Sequence, residues 1–215
     1  MNLIQLSKIA IKATLSAGEI IRQYRNKNVE TKYKIAGVSH ASQVVTVVDQ
    51  ACEAAILSHL LPTCEAFDLA LLSEETEDDH GRFEKDFFWC IDPMDGTLAF
   101  INKRPGFSVS IALVAKDGTP QIGVVFDPST NTLYHAVRGN GAFKNNHPWK
   151  IQPSNKWLTY VTDRTLADTP RANQIKALLR EKADSLGMKD IAEIAGGGSV
   201  LNAIHVLENG PACLL

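Results

Sequence analysis

Little in this sequence points to a fold held together by anything but its own core. It has only four cysteines, Cys52, Cys64, Cys90 and Cys213, and no two are spaced as C-x-x-C. That argues against a zinc ribbon or a disulfide framework and for reduced thiols, with Cys52 and Cys90 in apolar settings. Net charge is nearly absent: 22 Lys and Arg against 24 Asp and Glu leave −2 with His neutral. So balanced a chain has no electrostatic footprint for a nucleic-acid polymer or an anionic membrane. No apolar run reaches the length of a membrane span. The first residues are amphipathic and lack the apolar centre and cleavage site of a secretory signal, so a cytoplasmic location is expected. Internal repeats and low-complexity tracts are missing as well. What remains is 215 residues with 45% hydrophobic content, enough to bury a substantial core.

Leu3, Leu6, Ile9, Ala10, Ala13, Ala17, Ile20, Ile21 and Tyr24 recur at three- and four-residue steps. That period predicts a helix over 3–25. Residues 26–42 are polar around Gly37 and predict a hairpin or loop. A short β-branched strand is expected at 44–48, then a helix from Asp49 to about Leu61, stopped by Pro62. A buried strand over 67–72, an acidic surface loop over 74–84 and a strand over 87–91 follow. Segments 107–115, 121–126 and 133–137 predict an antiparallel meander, punctuated by Asp117-Gly118 and Gly139-Asn140-Gly141. A strand over 157–162 and a helix over 170–186, bounded by Pro170 and Gly187, come next. Gly198-Ser199 opens a last helix. The expected class is α+β, with helices layered on mostly antiparallel sheets.

The chemistry concentrates in Asp92-Pro93-Met94-Asp95-Gly96-Thr97. Two carboxylates held this close repel unless a proton or a cation lies between them. A hard divalent ion such as Mg²⁺ resolves the conflict with oxygen ligands. The turn after Asp95 offers backbone amides and a hydroxyl to an anion. Asp49 and Glu74 also follow apolar segments, at rigid places to mount ligands. If these ends converge, four carboxylates and the Met94 carbonyl form an oxygen-rich cage. Paired metals in such a cage clamp the attacking and leaving oxygens of a phosphoryl transfer. Five fixed residues at ~5–7% usage each make a chance match on the order of one in ten thousand. A calcium loop is the weaker reading, because the acids come from separate elements and no D-x-D-x-D-G pattern is present.

The segment Trp89-Cys90-Ile91-Asp92-Pro93-Met94-Asp95-Gly96-Thr97-Leu98-Ala99-Phe100 resembles the signature of the inositol monophosphatase superfamily. Lys34, Val45-Thr46 with Asp49, Leu72-Ser73-Glu74-Glu75 and Gly198-Ser199 are similar to its other elements, so the resemblance covers nearly the whole chain. It implies a layered αβαβα sugar-phosphatase-like fold and Mg²⁺-dependent, Li⁺-inhibitable phosphomonoester hydrolysis with two or three ions. By resemblance, Glu74, Asp92 and the Met94 carbonyl hold a first metal. Asp92 and Asp95 share a second, and Asp49 with Thr46 supports further metal and water. Glu74 and Thr97 orient the attacking water, and Gly96, Thr97 and Leu98 hold phosphate oxygens. Lys103, Arg104, Asp163, Arg164 and Ser199 are the candidate substrate contacts. Residues 1–150 then form a metal-binding phosphatase region and 151–215 a partial substrate-side region.

The details lean toward the branch that releases the 3'(2')-phosphate of 3'(2'),5'-bisphosphate nucleotides, with inositol monophosphatase as the alternative. The expected partner is a small phosphorylated metabolite. Family members are often dimers, so a homodimer is one expected assembly. One departure stands out. The family has a Trp-Asp pair beyond the Gly-Ser loop that supplies a ligand to the second metal, and here no Asp follows Asp190. The C-terminal part of the family fold is therefore expected to be missing. The reading from a different class is a catalytically weak module that binds phosphorylated ligands.

Overall fold

An asparagine starts the first helix. Asn2 Oδ1 accepts the amides of Ile4 and Gln5, satisfying orphan donors of α1 (Leu3–Tyr24). The computed structural model describes residues 1–29, 31–33, 44–151, 156–163 and 169–214. They fall into two compact units, Met1–Trp149 and Lys150–Leu215. In the first, α1 buries Leu6, Ala10, Ala13, Ala17 and Ile21 on one face. Small residues there let the helix approach the sheet closely: a Cβ on Gly18 would lie 2.4 Å from the Phe126 ring.

A two-stranded antiparallel ribbon, β1 (Thr31–Tyr33) and β2 (Val44–Thr46), leads into α2 (Val47–Phe67). The helix begins two residues before Asp49, because Thr46 is its N-cap and Asp49 completes a capping box with it. Pro62 does not stop it. The ring is exposed and costs one amide, while the turn beyond it is anchored from inside. Thr63 is buried there and accepts a 2.9 Å hydrogen bond from Trp89 Nε1. The helix therefore ends at Phe67, with Asp68 in the left-handed region, and the expected strand over 67–72 contracts to β3 (Ala70–Ser73). A 3₁₀ turn at Gly81–Phe83 interrupts the acidic loop.

The main sheet has seven strands. After β3 come β4 (Phe87–Asp95), β5 (Ser108–Ala115), β6 (Pro120–Asp127), β7 (Thr132–Val137), β8 (Gly141–Lys144) and β9 (His147–Pro148). They neighbour in chain order; β3 and β4 are parallel and the rest antiparallel, as the meander pattern requires. Alternate residues turn inward: Trp89 and Ile91, then Val109, Ile111 and Leu113, then Ile122, Val124 and Phe126. They meet the apolar faces of α1 and α2 in one core. Strand β4 runs four residues past the expected end at Ile91 and so carries both motif acids. The short α3 (Thr97–Ile101) follows.

The second unit is wound differently. Its strands β10 (Trp157–Asp163), β11 (Asp190–Gly196) and β12 (Ala212–Leu214) form a parallel sheet in the order β11-β10-β12. Two helices, α4 (Pro170–Ser185) and α5 (Ser199–Glu208), make the crossovers that parallel strands need. The whole is α+β, as the sequence implies. Among the described residues, no helix is long and apolar enough to cross a membrane.

Candidate metal and phosphate site

Asp49 is held by neutral donors. It is buried, with 2% exposure. Its Oδ2 accepts the Thr46 amide at 2.7 Å and the Thr46 hydroxyl at 2.6 Å. The Thr97 hydroxyl stands 3.0 Å from Asp49 Oδ1 and 3.0 Å from the Met94 carbonyl oxygen. A hydroxyl has one proton for those two acceptors. Burial pushes the Asp49 carboxyl above its ordinary range, and the hydrogen bonds from Thr46 and Thr97 oppose it. The N-terminus of α2 and the turn into α3 are thereby tied together.

Asp92 is held differently. Between Asp92 and Asp95 the pairing of β4 with β5 shifts: Asp92 faces Ser110 and Asp95 faces Ser108. Three steps on one strand against two on the other make a bulge, at a proline that has no amide to give the ladder. The bulge turns the Met94 amide onto Asp92 Oδ1 at 3.1 Å. Across the parallel pair, the Glu74 amide donates to the Ile91 carbonyl at 3.2 Å, which sets Glu74 beside Asp92. The Asp92 carboxyl is pushed up to about 9, first by burial, then by the charges of Glu74 and Asp95, and by a hydrogen bond with Glu74 itself. A carboxyl so placed keeps its proton unless a cation joins it. The Ser108 hydroxyl lies 3.4 Å from Asp95 Oδ2.

Among the described residues, no three acids, imidazoles or thiols stand together as a ready-made ligand cluster. The expected four-acid cage is therefore not preassembled; the structure brings Asp49 to Thr46, Thr97 and Met94, and Asp92 to Glu74 with Asp95 close enough to act on it. The donor set still suits a hard cation. It is all oxygen, and a divalent ion would offset both the burial and the carboxylate repulsion that push the Asp92 carboxyl up. Gly96 adopts φ 84°, the left-handed region a glycine tolerates, and this turns the chain from the β4 acids into α3. The first amides of α3, beginning with Thr97 and Leu98, have no carbonyl within their own helix.

The other candidates fall on different elements. Lys103 and Arg104 are exposed just beyond α3. Lys103 borders a cleft of about 220 Å³ together with Arg25 and Lys27. Asp163 and Ser199 lie in the second unit: Asp163 ends β10 opposite Gly196 in the parallel register, and Ser199 begins α5 with Gly198, rather than Ser199 itself, as its N-cap. Lys34, Arg164 and most of the 26–42 loop lie outside the described residues. A cavity of about 560 Å³ beside Phe67 and Phe87 is lined by none of the candidate residues. Sequence reasoning missed Glu53, because a lone Glu on a helix reads as a solvated face.

Cys52 is buried and its thiol is pushed up to about 12 by burial and the nearby Asp49 charge, so it has no nucleophilic use.

Residues 2–204 match the inositol monophosphatase family. Inositol monophosphatase 3 of Solanum lycopersicum is 35% identical over 206 residues, covering 94% of this chain and 73% of that protein. The Nus factor SuhB of Haemophilus influenzae is 41% identical over 135 residues, 62% of this chain and 48% of that one. The chain thus spans about three quarters of the first relative and about half of the second. Among solved structures, CysQ from Bacteroides thetaiotaomicron, a bacterial member of the same family, superposes with a TM-score of 0.72 at 27% identity, over 95% of this chain and 76% of that one.

Proposed function

The chain belongs to the inositol monophosphatase family, whose members are phosphatases, and on that footing we propose that it is a Mg²⁺-dependent phosphomonoesterase centred on β4. The observation that carries this is Asp92, buried on β4 beside Glu74 and Asp95 and next in the chain to the Gly96-Thr97 turn into α3. Glu74, Asp92 and the Met94 carbonyl would hold one ion, Asp92 and Asp95 a second, with Asp49 backing further metal. Bound there, Mg²⁺ supplies charge to neutralise the phosphate and lowers the pKa of water.

The chain's own groups do the rest. Thr97 donates its hydroxyl proton to Asp49, so its lone pair can accept a hydrogen bond from the attacking water and fix its direction; as the water's proton passes to Thr97, the hydroxyl's own proton passes to the Asp49 carboxylate. Thr46 holds Asp49 in place through two hydrogen bonds. Gly96, Thr97 and Leu98 present amides to phosphate oxygens. No side-chain nucleophile is required, because phosphoryl transfer depends chiefly on positioning and charge neutralisation.

The substrate we propose is a 3'(2'),5'-bisphosphate nucleotide, with an inositol phosphate as the runner-up. The cleft bordered by Arg25, Lys27 and Lys103 supports a ligand with a second anionic group. Phosphate release from both compounds, with Mg²⁺ present, tests this. Faster turnover of the nucleotide supports it, faster turnover of the inositol phosphate reverses the order, and no release from either refutes the phosphatase reading. A second reading, a weakly catalytic module that binds phosphorylated ligands, is favoured by the lack of a preassembled ligand cluster among the described residues. Calorimetric binding of the nucleotide without turnover would establish that one instead.

A further inference from the structure

Helix α2 carries a second acid one turn beyond Asp49 on the same face, Glu53. Glu53 Oε1 accepts the Ser73 hydroxyl, and at 2.9 Å the Thr76 hydroxyl. Those two hydroxyls flank Glu74-Glu75, one on the last residue of β3 and one just past the pair. Ser73 is buried, with 5% exposure, so its hydroxyl has a real need for this acceptor. One rigid helix thus reaches both halves of the site. Asp49 ties it to Thr97 and the Met94 carbonyl, and Glu53 ties it to the segment that delivers Glu74.

We propose that Glu53 is a positioning residue that sets where Glu74 stands relative to Asp92, and so sets metal affinity without touching the metal. The proposal rests on the phosphatase reading above. Groups that orient a ligand from behind typically change metal affinity by about 10–100-fold when removed. A carboxylate accepting two hydroxyls does its work as an acceptor, and a glutamine amide oxygen can replace it, whereas a metal-contacting carboxylate could not be replaced so.

The test is Mn²⁺ binding to the metal-free protein, read by electron paramagnetic resonance, with phosphate release at saturating Mg²⁺ alongside. Glu53→Ala is expected to weaken Mn²⁺ binding about 10–100-fold while the maximal rate falls far less. Glu53→Gln should stay within about threefold of the parent. The Ser73→Ala/Thr76→Val variant should match Glu53→Ala, and combining them should add little, since all three remove one interaction. This arm also decides the matter if Glu53→Ala fails to fold. Parent protein that binds no Mn²⁺ sinks the phosphatase reading and this inference together. Parent binding with an unaffected Glu53→Ala sinks only the inference. A Glu53→Gln variant as weak as Glu53→Ala also overturns it, because Glu53 would then act through its charge.

Discussion

Two acids of this protein are both largely buried and both have raised protonation constants, yet their surroundings are opposites. Asp49 sits at the start of α2 among neutral donors, in a capping box that would stabilise the helix whatever the protein did. Asp92 sits on the β4 bulge with one amide for a partner and two other carboxylates as neighbours. The first arrangement is complete as it stands. The second is complete only when a proton or a cation joins it. A buried acid by itself therefore says little about function; an acid whose shortfall is positive charge says a great deal.

The largest effect expected from breaking this contrast is at Asp92. Asp92→Asn should cost on the order of 10³-fold in phosphate release, while the metal-free variant melts no lower than the parent at pH 7, because a neutral amide takes up no proton on folding. Thr97→Val should follow, with a loss on the order of 10²-fold in kcat and little change in KM. It removes the hydroxyl between Asp49 and Met94 but no charge, and steady-state kinetics separates the two parameters.

The next effect is on stability. The folded Asp92 takes its proton up to about pH 9, against an ordinary 3.8, so between those values the folded chain holds a proton that the unfolded chain has lost. Its contribution is intact at low pH and is lost as pH rises. Metal-free protein should therefore become less stable from pH 5 to pH 8, by at most about 1.4 kcal/mol per unit. Saturating Mg²⁺ should flatten the trend, and Asp92→Asn should remove most of it; thermal melts across pH would show a flat parent curve if the account is wrong. The smallest effect is at the other acid's cap. Thr46→Ala should cost about 1 kcal/mol through the lost N-cap, measurable by urea unfolding, and, with the hydroxyl's hydrogen bond to Asp49 gone, stability should fall slightly more steeply as pH rises.

The sequence made this contrast only half visible. The run Asp92 to Thr97 is dense enough in chemically pointed residues to stand out, and the meander of β5 to β7 follows directly from alternating burial and turn residues. Asp49 was visible as an acid after an apolar strand. Its role as a capping partner of Thr46, which starts α2 two residues early, needs the three-dimensional turn. Pro62 misleads because the breaker rule is local, while the packing of Thr63 on Trp89 is not. The bulge that aims Met94 is unreadable in advance, since it depends on the register against β5. Glu53 was hidden because its partners, Ser73 and Thr76, lie some twenty residues further along the chain.

The central claim is that the β4 acids are short of a cation. Calorimetric titration of the protein with Mg²⁺ at pH 7, in two buffers of different ionisation enthalpy, tests it most directly. Binding should expel the Asp92 proton, so about one proton should leave per first ion bound, and Asp92→Asn should abolish that release. Tight binding with no proton release, or no binding at all, would contradict the account.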